Sequence, residues 1–155
     1  MRLTAFTDYT LRTLIYAALR PDRLVTIAEI ASAYGISTNH LMKVVQKLAQ
    51  AGDIATLRGQ RGGLRLARLP AQINLGAVVR QSEPDMALAC CFCADDCCTI
   101  QPACGLTGVL DEALKAFLAV LDRYSLADLL EHPMELAGLL GITAAAPALV
   151  ADQPN

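Results

Sequence analysis

The sequence predicts a mainly α-helical chain with one small β-hairpin, and three observations predict it. Apolar residues recur at three- and four-residue steps in several windows, the period of helices that bury one face. Residues 54–68 instead alternate with the two-residue period of strands, on either side of a glycine-rich tip. Hydrophobic residues make up 54% of the 155 and charged residues 18%, which suits a packed core and excludes a disordered chain.

Each element can be justified in order. Leu11, Leu14, Ile15, Ala18 and Leu19 form the apolar stripe of a first helix, with Thr7 as its N-cap and Pro21 as its stop. Thr26-Ile27-Ala28-Glu29 has the form of a capping box, opening a short helix that ends at Gly35, a residue suited to a left-handed C-cap. Ser37 caps a third helix running to about Ala51, which buries Leu41, Val44, Val45 and Leu48 and ends at Gly52. Two helices joined by Tyr34-Gly35-Ile36-Ser37 form a helix–turn–helix signature. Ile54–Arg58 and Leu64–Arg68 flank Gly59-Gln60-Arg61-Gly62-Gly63 and read as a hairpin with a basic tip. Helix–turn–helix and then hairpin is the order of a winged helix, assigned to residues 1–82. That unit closes with a short helix from Leu75 to about Ser82, capped by Asn74.

Residues 83–105 hold all six cysteines: Cys90, Cys91, Cys93, Cys97, Cys98 and Cys104. In the next segment, 106–142, Leu106, Val109, Leu110, Ala113, Leu114, Phe117, Leu118 and Leu121 make a stripe of about five helical turns. A small winged helix cannot bury so long a stripe, so it is expected to be a dimerisation helix that pairs with its copy in a second chain. Ser125 caps a further short helix, Leu126–Glu131, and residues 143–155 show no period and are expected to be disordered.

Charge is divided between the halves. Residues 1–80 hold eleven Lys and Arg against four Asp and Glu, a net of +7, whereas residues 81–155 hold two against eleven, a net of −9. A basic first half suits a polyanion, and an acidic second half repels one. The first turns of the third helix carry Ser37, Thr38, Asn39, His40 and Lys43, and that end of a recognition helix meets base edges in the major groove of double-stranded DNA. Arg58, Arg61 and Arg65 of the hairpin are candidates for phosphates or a narrow minor groove. Seven aromatics and no Trp argue against single-strand binding by base stacking. No dinucleotide fingerprint, phosphate loop or nucleophile–base constellation is present, so an enzyme is not expected. Without an apolar leader or a stretch of roughly 20 apolar residues, the chain is expected to be cytoplasmic and to have no membrane partner.

In such a compartment six cysteines point to metal or redox chemistry before a disulfide framework. Zinc would be served by the Cys90 and Cys93 spacing, but the usual second, separated knuckle is missing and His40 and His132 are far off. An iron–sulfur cluster accepts thiolates at varied spacings from one loop. Both readings stand on the residues alone.

The order winged helix, cysteine loop, long helix resembles the bacterial iron–sulfur winged-helix regulators called the Rrf-two family, and within it the repressors that sense nitric oxide. The resemblance covers roughly residues 1–140. It is carried by Met1-Arg2-Leu3-Thr4, Thr7-Asp8-Tyr9, the wing Arg58-Gly59-Gln60-Arg61-Gly62-Gly63 and the segment ending Pro102-Ala103-Cys104. It implies that Cys93, Cys98 and Cys104, which meet the family's C-x4-C-x5-C form, hold a 4Fe–4S cluster, with 2Fe–2S the other option. Cys90, Cys91 and Cys97 are additions to that form. Related cluster-biogenesis regulators carry a fourth-ligand His three residues after the last cysteine; Thr107 stands there in this chain. Asp8, from the partner subunit, is the implied fourth ligand, although a carboxylate in a first helical turn also complements the helix dipole. The resemblance implies a homodimeric repressor of nitric-oxide detoxification genes on a palindromic operator. A redox or cluster-status sensor of the same fold and a zinc-binding winged-helix factor are the alternatives.

Overall fold

The computed structural model describes residues 2–59, 62–89, 92, 99–100 and 103–142. In chain order these form α1 (Ala5–Ala18), α2 (Ile27–Tyr34), α3 (Thr38–Ala51), β1 (Ile54–Leu57), β2 (Gly63–Leu66), α4 (Leu75–Ser82), α5 (Leu106–Leu121) and α6 (Pro133–Leu139), with short 3-10 turns at Pro70–Gln72 and Leu126–Leu130. This is a winged helix–turn–helix with a long additional helix. The tail from residue 143 lies outside the described residues.

Within α1 the structure corrects two expectations. The N-cap is Thr4, whose hydroxyl accepts from the Thr7 amide at 3.3 Å, not Thr7 itself. The buried face is Thr7, Thr10, Thr13, Leu14, Tyr16 and Ala17, so the apolar stripe located the helix but set its face off by part of a turn. Threonines can enter this core because their hydroxyls are satisfied locally. Thr10 Oγ1 donates to the Phe6 carbonyl at 2.8 Å and Thr13 Oγ1 to the Tyr9 carbonyl at 2.7 Å. Leu11 and Ile15 pack at the margin of the core.

The helix–turn–helix follows from its caps. Thr26 Oγ1 accepts from the Glu29 amide at 3.2 Å, and the Glu29 carboxylate accepts from the Thr26 amide at 2.7 Å. Arg23 also donates to Glu29, and that hydrogen bond holds the carboxyl at a pKa of about 2. Gly35, at φ 65°, reverses the chain into the turn, where Ile36 is buried and fixes the approach of α3. Ser37 takes the N-cap position of α3 without a side-chain capping bond.

β1 and β2 pair antiparallel, with Ile54 opposite Leu66 and Thr56 opposite Leu64. Both strands are a residue or more shorter than the alternation suggested. Val25 exchanges backbone bonds with Leu64 at 2.9 and 2.8 Å, which fastens the hairpin to the segment before α2. The core gathers Leu14, Ile30, Leu41, Val44, Leu48, Ile54 and Leu64, each at most 3% exposed.

The C-terminal segment returns to this core. Asn74 caps α4 by accepting from the Ala77 amide at 3.0 Å, and its amide donates to the carbonyls of Asp122 and Tyr124. Arg80 forms a two-pronged pair with Asp122. A Cβ at Gly76 would lie 2.0 Å from Asp122 Oδ1, so only glycine leaves that carboxylate in place. Leu126, Ala137 and Ile142 then join the buried cluster. The short helix expected after Ser125 is present as a 3-10 helix over Leu126–Leu130, with Ser125 at its N-cap. α5 occupies the residues its stripe specified, yet it buries none of them in the chain's own core. No helix of the described residues is long and apolar enough to cross a membrane.

Candidate nucleic-acid interface and metal-ligand residues

α3 is strongly two-sided. Leu41, Val44, Val45 and Leu48 are buried, while Ser37, Thr38, Asn39, His40 and Lys43 are all exposed. The packing that buries the first set therefore presents the second to solvent. Met42, Gln46 and Lys47 are exposed on the same helix. Sequence reasoning passed over them by stopping at the first turns, although the i, i+3, i+4 spacing from Asn39 and Lys43 gave the signal.

On the hairpin, Arg58 follows β1 and Arg65 stands opposite Ala55 on β2, both exposed. Neither makes an ion pair among the described residues, so both are available to an anion. Arg61 lies outside the described residues. Arg68 has a structural part instead. It donates to the Ala51 carbonyl at 2.9 Å and the Gly52 carbonyl at 3.2 Å, closing the C-terminus of α3. It also lies 3.6 Å from the carboxylate of Asp53. Burial pushes the Asp53 carboxyl upward, and the nearby Arg68 charge opposes that shift.

Asp8 is in the first turn of α1, roughly half exposed, with its carboxylate 2.9 Å from Arg12 Nε. The Arg12 guanidinium in turn rests 5.5 Å from the centre of the Tyr34 ring at the end of α2. One residue beyond Asp8, the Tyr9 ring lies 6.1 Å from the His40 ring on α3. Asp8 thus sits on a helix whose neighbouring side chains touch both halves of the helix–turn–helix. Sequence reading found Asp8 and His40 but not this connection, since the spacing of Tyr9, Arg12 and Tyr34 matches no motif.

Of the three proposed thiol ligands, Cys104 is a half-buried free cysteine, one residue before Gly105, the N-cap of α5. Cys93 and Cys98 lie outside the described residues, as do Cys90, Cys91 and Cys97. Cys104 and Asp8 offer a soft thiol and a carboxylate, neither locked in the core, a donor set that iron accepts. Among the described residues no three His, Cys, Asp or Glu side chains gather as a metal site.

Comparison with known proteins places these features in a family. A family model described as Rrf2, an iron-dependent transcriptional regulator, matches residues 3–132. The HTH-type transcriptional regulator NsrR of Bacillus subtilis (strain 168) is 51% identical over 142 residues, covering 90% of this chain and 97% of that protein. The NsrR of Halalkalibacterium halodurans is 49% identical over the same shares. Among solved structures, T. potens IscR superposes with a TM-score of 0.69 at 24% identity, covering 88% of this chain and 90% of that one. CymR (YrzC), the global cysteine regulator of B. subtilis, gives 0.66 at 22% identity, with 83% and 95% covered. At these identities the two structures speak for the fold alone.

Proposed function

The chain belongs to the Rrf2 family of transcriptional regulators, a DNA-binding protein and not an enzyme, and on that premise we propose that it is a homodimeric iron–sulfur repressor that senses nitric oxide. Cys93, Cys98 and Cys104 of one protomer, with Asp8 of the other, would hold the cluster. With a carboxylate as the fourth donor, a cluster bound by these residues would supply an iron centre reactive toward nitric oxide.

The observation that carries this reading is the position of Asp8. Its helix packs along the recognition helix, and its neighbours Tyr9 and Arg12 reach His40 and Tyr34. With Asp8 engaged across the dimer, α1 of one protomer is tied to the thiol segment of the other, which fixes the separation of the two α3 helices. Half-sites one helical turn apart, about 34 Å, demand such a fixed separation. With Asp8 free, its carboxylate rests on Arg12 alone and that constraint is gone. A hundredfold relief of repression needs only about 2.7 kcal/mol of difference in DNA affinity between the two states.

α5 supports the dimer. No residue of its apolar stripe is fully buried among the described residues, and a second α5 offers a matching surface. Ser37, Thr38, Asn39, His40 and Lys43 would contact base edges, and Arg58, Arg61 and Arg65 the backbone or minor groove. The test is Cys98→Ala in protein purified without oxygen. The variant is expected to lose its visible absorption and its operator binding together; a variant that stays brown and still represses overturns the ligand assignment. Exposing the wild type to nitric oxide and, separately, to mild oxidation identifies the signal, because only the former should release DNA.

A further inference from the structure

Between α3 and the hairpin lies a groove of about 780 Å³, lined by Ile27, Met42, Gln46, Leu57 and Arg58 among others. Met42 is 51% exposed and Leu57 61%. With Leu69 they are the large apolar side chains that the described winged-helix unit leaves in solvent, and these two line the same groove from facing elements. Each has a cation beside it in sequence, Lys43 on the helix and Arg58 on the hairpin. Met42 also lies three residues from Asn39 and four from Thr38, in the row of side chains that faces the major groove.

A surface built to meet a polyanion gains nothing from an exposed methionine unless the partner presents an apolar group there. Double-stranded DNA presents one on its base edges, the 5-methyl of thymine in the major groove. We propose that Met42 is a specificity-determining residue, whose flexible, polarisable thioether packs against a thymine methyl in each operator half-site, with Leu57 bounding the groove on the wing side. Duplex DNA is the occupant because Met42 carries the exposed face of α3 into the groove and Arg58 supplies a cation on its hairpin wall.

The probe is the tightest duplex that full-length, anaerobically purified protein selects from a random-sequence library. Each thymine is then replaced by deoxyuridine, which removes the methyl and leaves the pairing edge intact. At one symmetry-related pair, wild type is expected to lose about three- to fivefold in affinity per half-site. Met42→Ala should bind the thymine duplex more weakly by a similar factor and be indifferent to uracil at that pair. Met42→Gln, which preserves length and solubility, should also be indifferent. Asn39→Ala should bind more weakly while keeping the uracil effect, which reports the insertion of α3 separately. A Met42→Ala protein as sensitive to uracil as wild type, or a wild type indifferent to uracil everywhere, overturns the proposal. So does an Asn39→Ala protein that binds like wild type, and that result would remove α3 from the groove altogether.

Discussion

α3 and α5 are similar in length and opposite in what they do with their side chains. α3 is half polar, yet it buries four large aliphatic residues. α5, Leu-Thr-Gly-Val-Leu-Asp-Glu-Ala-Leu-Lys-Ala-Phe-Leu-Ala-Val-Leu, is the more apolar of the two and buries none, with Leu106 54% and Val109 64% exposed. Apolar content alone therefore does not reveal which helix holds the domain together. The winged helix closes on its own core, whereas α5 leaves its apolar stripe incompletely covered among the described residues, as the proposed dimer would require. Its C-terminal end is fastened, through Arg80, Asp122 and the Asn74 amide, to α4. Cys104 stands at its other end.

The contrast is sharpest in paired substitutions. Leu41→Ala opens a cavity in the closed core and should cost about 2–5 kcal/mol in urea unfolding. Val109→Glu should leave the winged helix folded but place a charge in the proposed seam between protomers. Sedimentation should then give a monomer, with operator affinity falling by a hundredfold or more, about 2.7 kcal/mol. A dimeric Val109→Glu protein would show that α5 is not that seam.

Glu29→Gln probes the closed unit more gently. The Glu29 carboxyl is held near pKa 2, first by its hydrogen bond from Arg23. A lowered pKa contributes stability that is fully present above the unfolded carboxylate value and is lost as the pH falls through the folded one. The variant should be less stable by about 1 kcal/mol at neutral pH, a figure that allows for solvent screening of this partly exposed pair. The gap to wild type should close as pH falls from about 4.5 to about 2. A difference that persists at pH 2 would mean that packing, not charge, is lost.

The smallest effect is expected at the wing tip. Arg61→Ala should weaken binding to all sequences alike and lower the slope of log affinity against log salt by about 0.9 per lost phosphate contact. An unchanged slope would remove Arg61 from the interface.

Much of the fold was legible because its signals are local. The Thr26–Glu29 capping box, the Gly35 turn and the Asn74 cap each occupy a few adjacent residues, the α5 stripe repeats within one helix, and each is found where its residues place it. The misread parts depend on distant partners or on side-chain bonding. Thr10 and Thr13 count as polar until their hydroxyls are seen to be satisfied within the helix, which turned the expected face of α1. The long-range bonds from Leu126 to Ile73 and from Asn74 to Asp122 have no sequence motif. At the candidate site, Asn39, His40 and Lys43 were read from helix position alone. The Tyr9–His40 and Arg12–Tyr34 contacts were not, because they join residues more than twenty apart in sequence.

The central claim is that a cluster on the thiol segment sets the operator-binding state of the dimer. The most direct test measures iron, acid-labile sulfide and operator affinity on one anaerobic preparation, before and after nitric oxide. The prediction is sulfide-bearing, coloured protein that binds tightly and loses a hundredfold or more of its affinity on exposure. Colourless, sulfide-free protein that grips the same operator equally well, and ignores nitric oxide, would contradict it.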